Sequence, residues 1–153
     1  MNESFNRKEK EEKLITLMNF IKEDPNFPVT LDIGLDSYSS QLPSLSIDTI
    51  EGGKKKGNII GGYEAEIPFN LSIKLATNDS INRVDAIKVL NDLGTFFDEK
   101  KQKKEMPDLG EKEACTMIEM IGVPHLRQRK EETESDIYQA SYMMKTKYKS
   151  QIE

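Results

Sequence analysis

Only one cysteine, Cys115, and one histidine, His125, are available in this chain for nucleophilic or general-base chemistry. A catalytic nucleophile needs a base within hydrogen-bonding reach, so a Cys-His or Ser-His arrangement would have to use His125. The two residues could meet across adjacent strands. His125 lies beside Pro124 and far from any Gly-x-Ser-x-Gly turn, and the interpretation we favour is a buried structural cysteine and a histidine at a strand end. We predict no catalytic residues and no enzymatic activity.

Metal ligands are equally scarce. Zinc sites need several Cys and His side chains at short spacings, and the chain has one of each. The carboxylate pairs Asp32 with Asp36 and Asp92 with Asp98 lack the ligand spacing and the glycine of an EF-hand loop. We therefore predict no protein-bound metal.

Two glycine pairs could in principle form a phosphate-binding loop. Neither Gly52-Gly53 nor Gly61-Gly62 is followed by Gly-Lys-Ser/Thr, or by a helix whose N-terminus could bind a phosphate. They are interpreted as turn and bulge glycines, and no cofactor is predicted.

The basic runs are Lys54–Lys56 and the Lys-Lys-Gln-Lys-Lys segment from Lys100 to Lys104. Such runs are usually solvated surface, and the more specific interpretation is contact with an acidic partner or with phosphates. The formal net charge of −5 and the pI near 5.1 argue against a general nucleic-acid binder, which normally carries a basic face.

The composition is that of one folded domain spanning residues 1–153, with 36% hydrophobic and 32% charged residues. No apolar run approaches the ~20 residues of a membrane-spanning helix, and the N-terminus lacks the apolar core of a signal peptide. A soluble protein of a reducing compartment is expected, because one cysteine cannot form an internal disulfide. The charged residues 1–12 are interpreted as an extension of the first helix that could be mobile.

The first half of the chain shows both helical and strand periodicities. Arg7–Glu23 is predicted to be a helix, since its apolar residues recur at intervals of three and four. Val29–Gly34 and Ser44–Ile50 alternate as two strands that should pair, and Glu51–Asn58, with its glycines and lysines, is interpreted as a hairpin tip. From Tyr63 to Ala76 apolar residues occupy every second position, which predicts a long strand with one packed face and one face toward water or a partner.

The second half continues the pattern. Oxygen-bearing side chains at Thr77–Ser80 can cap a helix that extends to about Glu99. Strands are predicted at Ala114–Val123, ended by Pro124, and at Tyr138–Tyr148, with Gln128–Ser135 as a solvated connection. These elements predict an α+β fold: a mainly antiparallel β-sheet of about five strands with two helices packed on one face.

The order of these segments resembles that of the small minor capsid proteins of phages and prophages of Gram-positive bacteria, which are similar to the tail terminators of long-tailed phages. The resemblance covers about residues 14–148 and is carried by the following succession: a helix; Val-Thr-Leu-Asp-Ile-Gly at 29–34; Leu42-Pro43-Ser44-Leu45-Ser46; the basic segment; Gly61-Gly62-Tyr63 opening a long strand; the helix Asn82–Phe97; and Met106-Pro107-Asp108-Leu109.

The resemblance implies a structural virion protein. Its subunits would form a homo-oligomeric ring, expected to be a hexamer, that caps the tail tube and joins it to the head connector. The expected partners are other copies of the chain, the tail tube protein and the connector protein, with DNA only in transit through the channel and no membrane. The protein would be located at the head-proximal end of the virion tail after assembly in the host cytoplasm. The candidate contacts are Lys54, Lys55, Lys56, Gly61, Gly62 and Tyr63.

Two alternatives stay open at this stage. Head-tail stoppers and connector adaptors are similar in size and also form rings, so the chain could be another neck component. A small enzyme or a nucleic-acid-binding regulator is the alternative from a different class of protein.

Overall fold

The computed structural model describes residues 2–3, 7–24, 32–39, 43–57, 63–76, 80–110, 113–128 and 135–148. Over these residues the chain forms two helices and seven strands of one sheet, an α+β fold as predicted. The elements are β1 (Asn2–Glu3), α1 (Arg7–Glu23), β2 (Ile33–Leu35), β3 (Ser44–Thr49), β4 (Lys54–Gly57), β5 (Tyr63–Ala76), α2 (Ser80–Gln102), β6 (Glu113–Gln128) and β7 (Ser135–Tyr148).

The sheet is organised around β5. This strand pairs antiparallel with β7 over its whole length on one edge, and with β3 and then β4 on the other. Outside these lie β6 next to β7, β2 next to β3, and β1 next to β4. The predicted pairing of the first two strands is present, but β2 and β3 run parallel, the one parallel pair among the described strands.

The core lies on one face of this sheet. The apolar residues of β5 and β7 face each other across the ladder, as in the pairs Phe69 with Tyr142 and Leu71 with Ala140, and all four are fully buried. Both helices contribute to the same core cluster. From α2, the carbonyl of Leu90 accepts a hydrogen bond of 2.7 Å from the Tyr142 hydroxyl. From α1, the buried apolar residues are Leu14, Leu17 and Ile21.

The two helices also contact each other near their C-terminal ends. The Phe20 and Phe96 rings lie 6.2 Å apart, and the Lys100 ammonium is 2.5 Å from the Asp24 carboxylate. This hydrogen bond raises the pKa of Lys100. Lys100, the first residue of the second basic run, is thus engaged within the chain, whereas Lys101 and the lysines after it are exposed.

The predicted hairpin tip is wrong, because the lysines form a strand. β4 continues the line of β3 along the same edge of β5, separated from it by an irregular segment. Between the pairs Thr49–Phe69 and Lys54–Glu66, four residues (50–53) lie opposite two (67 and 68), which is a bulge of two extra residues. Gly52 and Gly53 take positive φ angles of 109° and 91°, which glycine adopts without strain.

The bulge lies opposite a proline in a central strand. The amide of Leu45 donates to the Asp32 carbonyl, and the carbonyl of Ile47 accepts from the Asp36 amide, so these β3 backbone groups face β2. The alternate residues of β3 must therefore direct their backbone groups toward β5. By the same alternation Pro68 faces this edge, and having no N–H it cannot continue the ladder.

A lysine from α1 supplies the missing donor. In an uninterrupted ladder the Ile50 carbonyl would accept a hydrogen bond from residue 68, and Pro68 has no proton to give. The Lys10 ammonium instead lies 3.1 Å from the Ile50 carbonyl oxygen, and Lys10 is only 8% exposed. This contact joins α1 to the sheet where the backbone pairing is interrupted.

The strand predicted to end before Pro124 is longer than expected. β6 passes through Pro124 and ends at Gln128, which is possible because β6 pairs only with β7 among the described strands and so forms an edge. Four register irregularities insert extra residues along it. The predicted connection Gln128–Ser135 is correspondingly shorter, since its two end residues belong to strands and residues 129–134 lie outside the described residues.

Substitution Lys10→Met should lower the free energy of unfolding by about 2 kcal/mol, because it removes a charged donor from the partly buried Ile50 carbonyl. Methionine has a similar length and helix propensity, so the cost reports the hydrogen bond rather than the helix. Urea unfolding measures the change. Lys8→Met, at an exposed position of the same helix, is the matched control and should change stability by less than about 0.5 kcal/mol. Equal effects of the two substitutions would contradict the assigned role.

Candidate partner interface

The residues with catalytic potential are far apart. Cys115 and His125 both lie on β6, where they face Thr146 and Gln139 of β7 respectively. Those partners are seven residues apart on one strand, which corresponds to about 23 Å at roughly 3.3 Å per residue. Cys115 and His125 therefore do not form a nucleophile-base pair.

The surroundings of each residue also differ from those of a catalytic group. Cys115 is 8% exposed, and burial raises the pKa of its thiol to about 12, so the thiol is protonated and unreactive at neutral pH. The Nδ1 atom of exposed His125 lies 3.0 Å from the Val123 carbonyl oxygen, a contact that requires the proton on Nδ1. Among the described residues, no group of three or more His, Cys, Asp or Glu side chains is placed to hold a metal ion.

Neither α1 nor α2, the helices of the described part of the chain, has an apolar stretch long enough to cross a membrane.

The lysines of β4 point to opposite faces of the sheet. Lys55 lies on the face covered by the helices, where its ammonium is 2.5 Å from the Glu9 carboxylate of α1 and its side chain is 18% exposed. Lys54 and Lys56 lie on the outer face, opposite Glu66 and Glu64 of β5. The predicted lysine contact surface is therefore divided, with two lysines available to a partner and one joined to a helix.

The outer face carries two rows of alternating charge that cross β4, β5 and β7. Each row runs lysine, glutamate, lysine, because Glu66 also faces Lys145 and Glu64 also faces Lys147. The Lys54 ammonium is 3.9 Å from Glu66, and Lys145 is 3.4 Å from Glu119 of β6. We call these residues the charged face: Lys54, Lys56, Glu64, Glu66, Glu119, Lys145 and Lys147.

Tyr63, another predicted contact, belongs to the opposite face. Its ring stacks on that of Tyr148 with centroids 4.6 Å apart, and the Lys55 ammonium lies 5.3 Å from its centroid. This arrangement closes the end of the β5–β7 pair on the helix side. Gly61 and Gly62, the remaining predicted contacts, lie outside the described residues.

The β5 and β7 members of the charged face are not among the contacts predicted from the sequence. Their alternation was visible, since Glu64 and Glu66 occupy the polar positions of one predicted strand and Lys145 and Lys147 those of another. Alternation within a single strand does not give the register between strands, and that register places each of these glutamates beside two lysines.

Beyond the charged face, the outer face of the sheet carries a hydrogen-bonded polar cluster centred on Asp48 of β3. Asp48 accepts hydrogen bonds from Ser46 at 2.6 Å and from Ser72 at 2.7 Å. Since Ser72 gives its proton to Asp48, the Tyr38 hydroxyl, 2.6 Å away, donates to Ser72. Arg127 lies 3.5 Å from Asp48 and balances its charge. Burial raises the pKa of Tyr38, and both serines are fully buried, so this cluster is packed rather than open.

Comparison with models of protein families gives no match to the chain, and a search of curated proteins gives no significant relative.

The thiol of Cys115 should be alkylated far more slowly in the folded protein than in urea, because its pKa of about 12 leaves almost no thiolate at pH 8. Iodoacetamide modification followed by mass spectrometry measures the rate. A variant with Cys115→Ala and Ala114→Cys moves the thiol to the neighbouring exposed position and should react rapidly in the folded state. Rapid modification of native Cys115 would contradict the described burial.

The two kinds of lysine in β4 should differ in their effect on stability. Lys55→Gln should lower the free energy of unfolding by about 1 kcal/mol, because it removes a half-buried ion pair with Glu9 and the contact with the Tyr63 ring. Lys54→Gln removes an exposed pair and should cost less than about 0.5 kcal/mol. Thermal and urea unfolding of both variants test the difference. A larger loss from the Lys54 substitution would place the wrong lysine against the helix.

Proposed function

We propose that this chain is a structural assembly protein, a tail terminator of a long-tailed phage or prophage. Its subunits would form a ring, expected to be a hexamer, that caps the tail tube and joins it to the head connector. Three observations support the proposal: the order of segments along the chain, the α+β fold that these segments form, and the large distance between Cys115 and His125.

The observation that carries the proposal is the charged face, which neither of the described helices covers. In the described part of the chain, both helices contribute to the core cluster, which contains the apolar residues of β5 and β7 on the opposite face of the sheet. On the other face, Lys54, Lys56, Glu64 and Lys147 are exposed, over strands held rigidly by the β5–β7 ladder. The face is concave, with a cavity of about 350 Å³ lined mostly by lysines and glutamates. Small-molecule sites are lined mainly by apolar side chains, so contact with a protein surface of complementary charge suits this face better.

Capping follows from an asymmetric ring. Subunits around a ring make heterologous contacts that close by rotation. If the tube-facing side of the ring complements the tube end and the opposite side does not, addition of tube subunits stops when the ring binds. The opposite side is then free to bind the connector.

Passage of DNA through such a ring requires weak rather than tight contact. Non-specific affinity for DNA comes mainly from neutralisation of phosphates by lysine and arginine. The chain carries a net charge of −5, and the lysines of the charged face alternate with glutamates, which supports passage without retention.

The second candidate is another neck component, a stopper or an adaptor. The same exposed face would serve either role, so the partner decides between them. Binding to the open end of the tail tube favours the terminator, and binding to the connector alone favours the neck component.

Loss of the coding sequence from its phage should give tails that are abnormally long and variable in length, because tube polymerisation would not be stopped. Electron microscopy of the particles measures tail length. Complementation with the wild-type chain should restore uniform tails. Tails of normal, uniform length in the deletion phage would refute the terminator proposal.

Complementation with a Lys54→Glu, Lys56→Glu variant tests the face separately, and it leaves Lys55 in place because that residue contacts α1. This variant should fail to restore uniform tails. Lys101→Glu, Lys103→Glu, a matched charge reversal at exposed positions of α2 and the turn after it, should restore them. If both variants restore uniform tails, the charged face is not the tube contact, although the terminator function would stand.

A further inference from the structure

The charged face consists of stripes of alternating sign that run along the strands. Its β4 stripe is positive, with Lys54 and Lys56, and its β5 stripe is negative. The β7 stripe is positive again, and on β6 the exposed charge nearest to it is that of Glu119. Across the four strands the order is therefore positive, negative, positive, negative.

An alternating pattern with an even number of stripes is complementary to itself. Consider a second copy related by a two-fold axis that lies in the plane of contact, parallel to the strands and midway between β5 and β7. This rotation places β5 of each copy over β7 of the other. Glu66 then faces Lys145 of the second copy and Glu64 faces Lys147, and each pairing occurs twice because the contact is isologous.

The outer stripes agree with the same rotation. It places the lysines of β4 over β6 of the second copy. The β6 residue in the same row as Lys145 is Met117, which is uncharged. The nearest negative charge is that of Glu119, two residues further along β6. Neighbouring strands are only about 4.8 Å apart, so long side chains can reach such a displaced partner. An axis centred on β5 itself would instead oppose glutamate to glutamate.

We propose that the charged face binds a second copy of this chain through this two-fold contact. Sheets that pack face to face keep their strands within about 30° of each other, so the stripes can stay aligned across the contact. The inference goes beyond the proposed function and does not depend on it, because contacts around a ring join unlike surfaces and this contact joins like ones. Both proposals use the charged face, so the two-fold pair would have to separate before the same face binds a tail tube.

The stripes also argue against a polyanion as the occupant. The charged face has four lysines and three glutamates, an excess of one positive charge. A nucleic acid lying on it would have to cross the glutamates of β5, which repel phosphate. A second copy satisfies the charges of both signs.

Two charge-reversal variants test the contact. In Glu64→Lys, Glu66→Lys both central stripes become positive, and in Lys145→Glu, Lys147→Glu both become negative. Each variant should then lose self-association, with the dissociation constant of the dimer raised by more than about tenfold, because like charges face each other across the contact. An equimolar mixture of the two should form heterodimers, since opposite charges again meet on both central stripes.

Sedimentation velocity of the full chain at low and high salt gives the dimer fraction, and high salt should reduce it. A variant with all four substitutions restores opposite charges within each chain and should dimerise as the wild type does. Lys101→Glu, Lys103→Glu is the control away from the face and should leave dimerisation unchanged. Circular dichroism of each variant verifies that it is folded.

Three results would overturn the proposal. The first is a wild-type chain that stays monomeric at the highest concentration and lowest salt. The second is a dimer that persists in both reversal variants, which would place the contact elsewhere. The third is a mixture of folded variants that forms no heterodimer, which would show that the face does not pair with itself.

Discussion

The antiparallel pairing of β5 with β7 is the constraint on which the rest of the structure depends. Fourteen residues of each strand pair without interruption, from Tyr63 with Tyr148 to Ala76 with Ser135. Because side chains alternate with a period of two, this register decides which residues of both strands enter the core. A slip of one residue would turn Phe69 or Tyr142 toward solvent and bury charged residues, so the apolar pattern itself selects the register.

The strands that flank this central pair on either side depart from regular pairing. On the β5 side, Pro68 interrupts the ladder, the strand opposite it bulges at its glycines, and Lys10 donates to the carbonyl left without a partner. On the β7 side, the bulged strand β6 continues through Pro124 at the edge of the described sheet. Bulges and an edge proline both oppose the pairing of a further strand. The outer face of the sheet is therefore a more suitable contact surface than this edge.

Local periodicity predicted most elements, and non-local pairing decided what it could not predict. The helix at Arg7–Glu23 and the strand at Tyr63–Ala76 follow from apolar spacing within each segment and are confirmed with the predicted bounds. Lys54–Lys56 reads locally as a polar turn, and it becomes a strand only because β5 offers an open edge there. The inward direction of Lys55 likewise depends on Glu9, far away in sequence. The parallel pairing of β2 with β3 across a short connection runs against the usual preference for hairpins, so no local signal indicated it.

The charges of the outer face have two roles that do not conflict. Within one chain, each glutamate of β5 lies between two lysines, which avoids like charges on directly opposed residues and so stabilises the sheet. The pair of Lys54 with Glu66 is nevertheless loose, since their charged atoms are 3.9 Å apart and the Lys54 side chain is exposed. Exposed pairs contribute only about 0–1 kcal/mol each. An approaching protein surface can therefore replace them at little cost, whereas the half-buried pair of Lys55 with Glu9 is retained, so the same short strand both binds its helix and offers its other face to a partner.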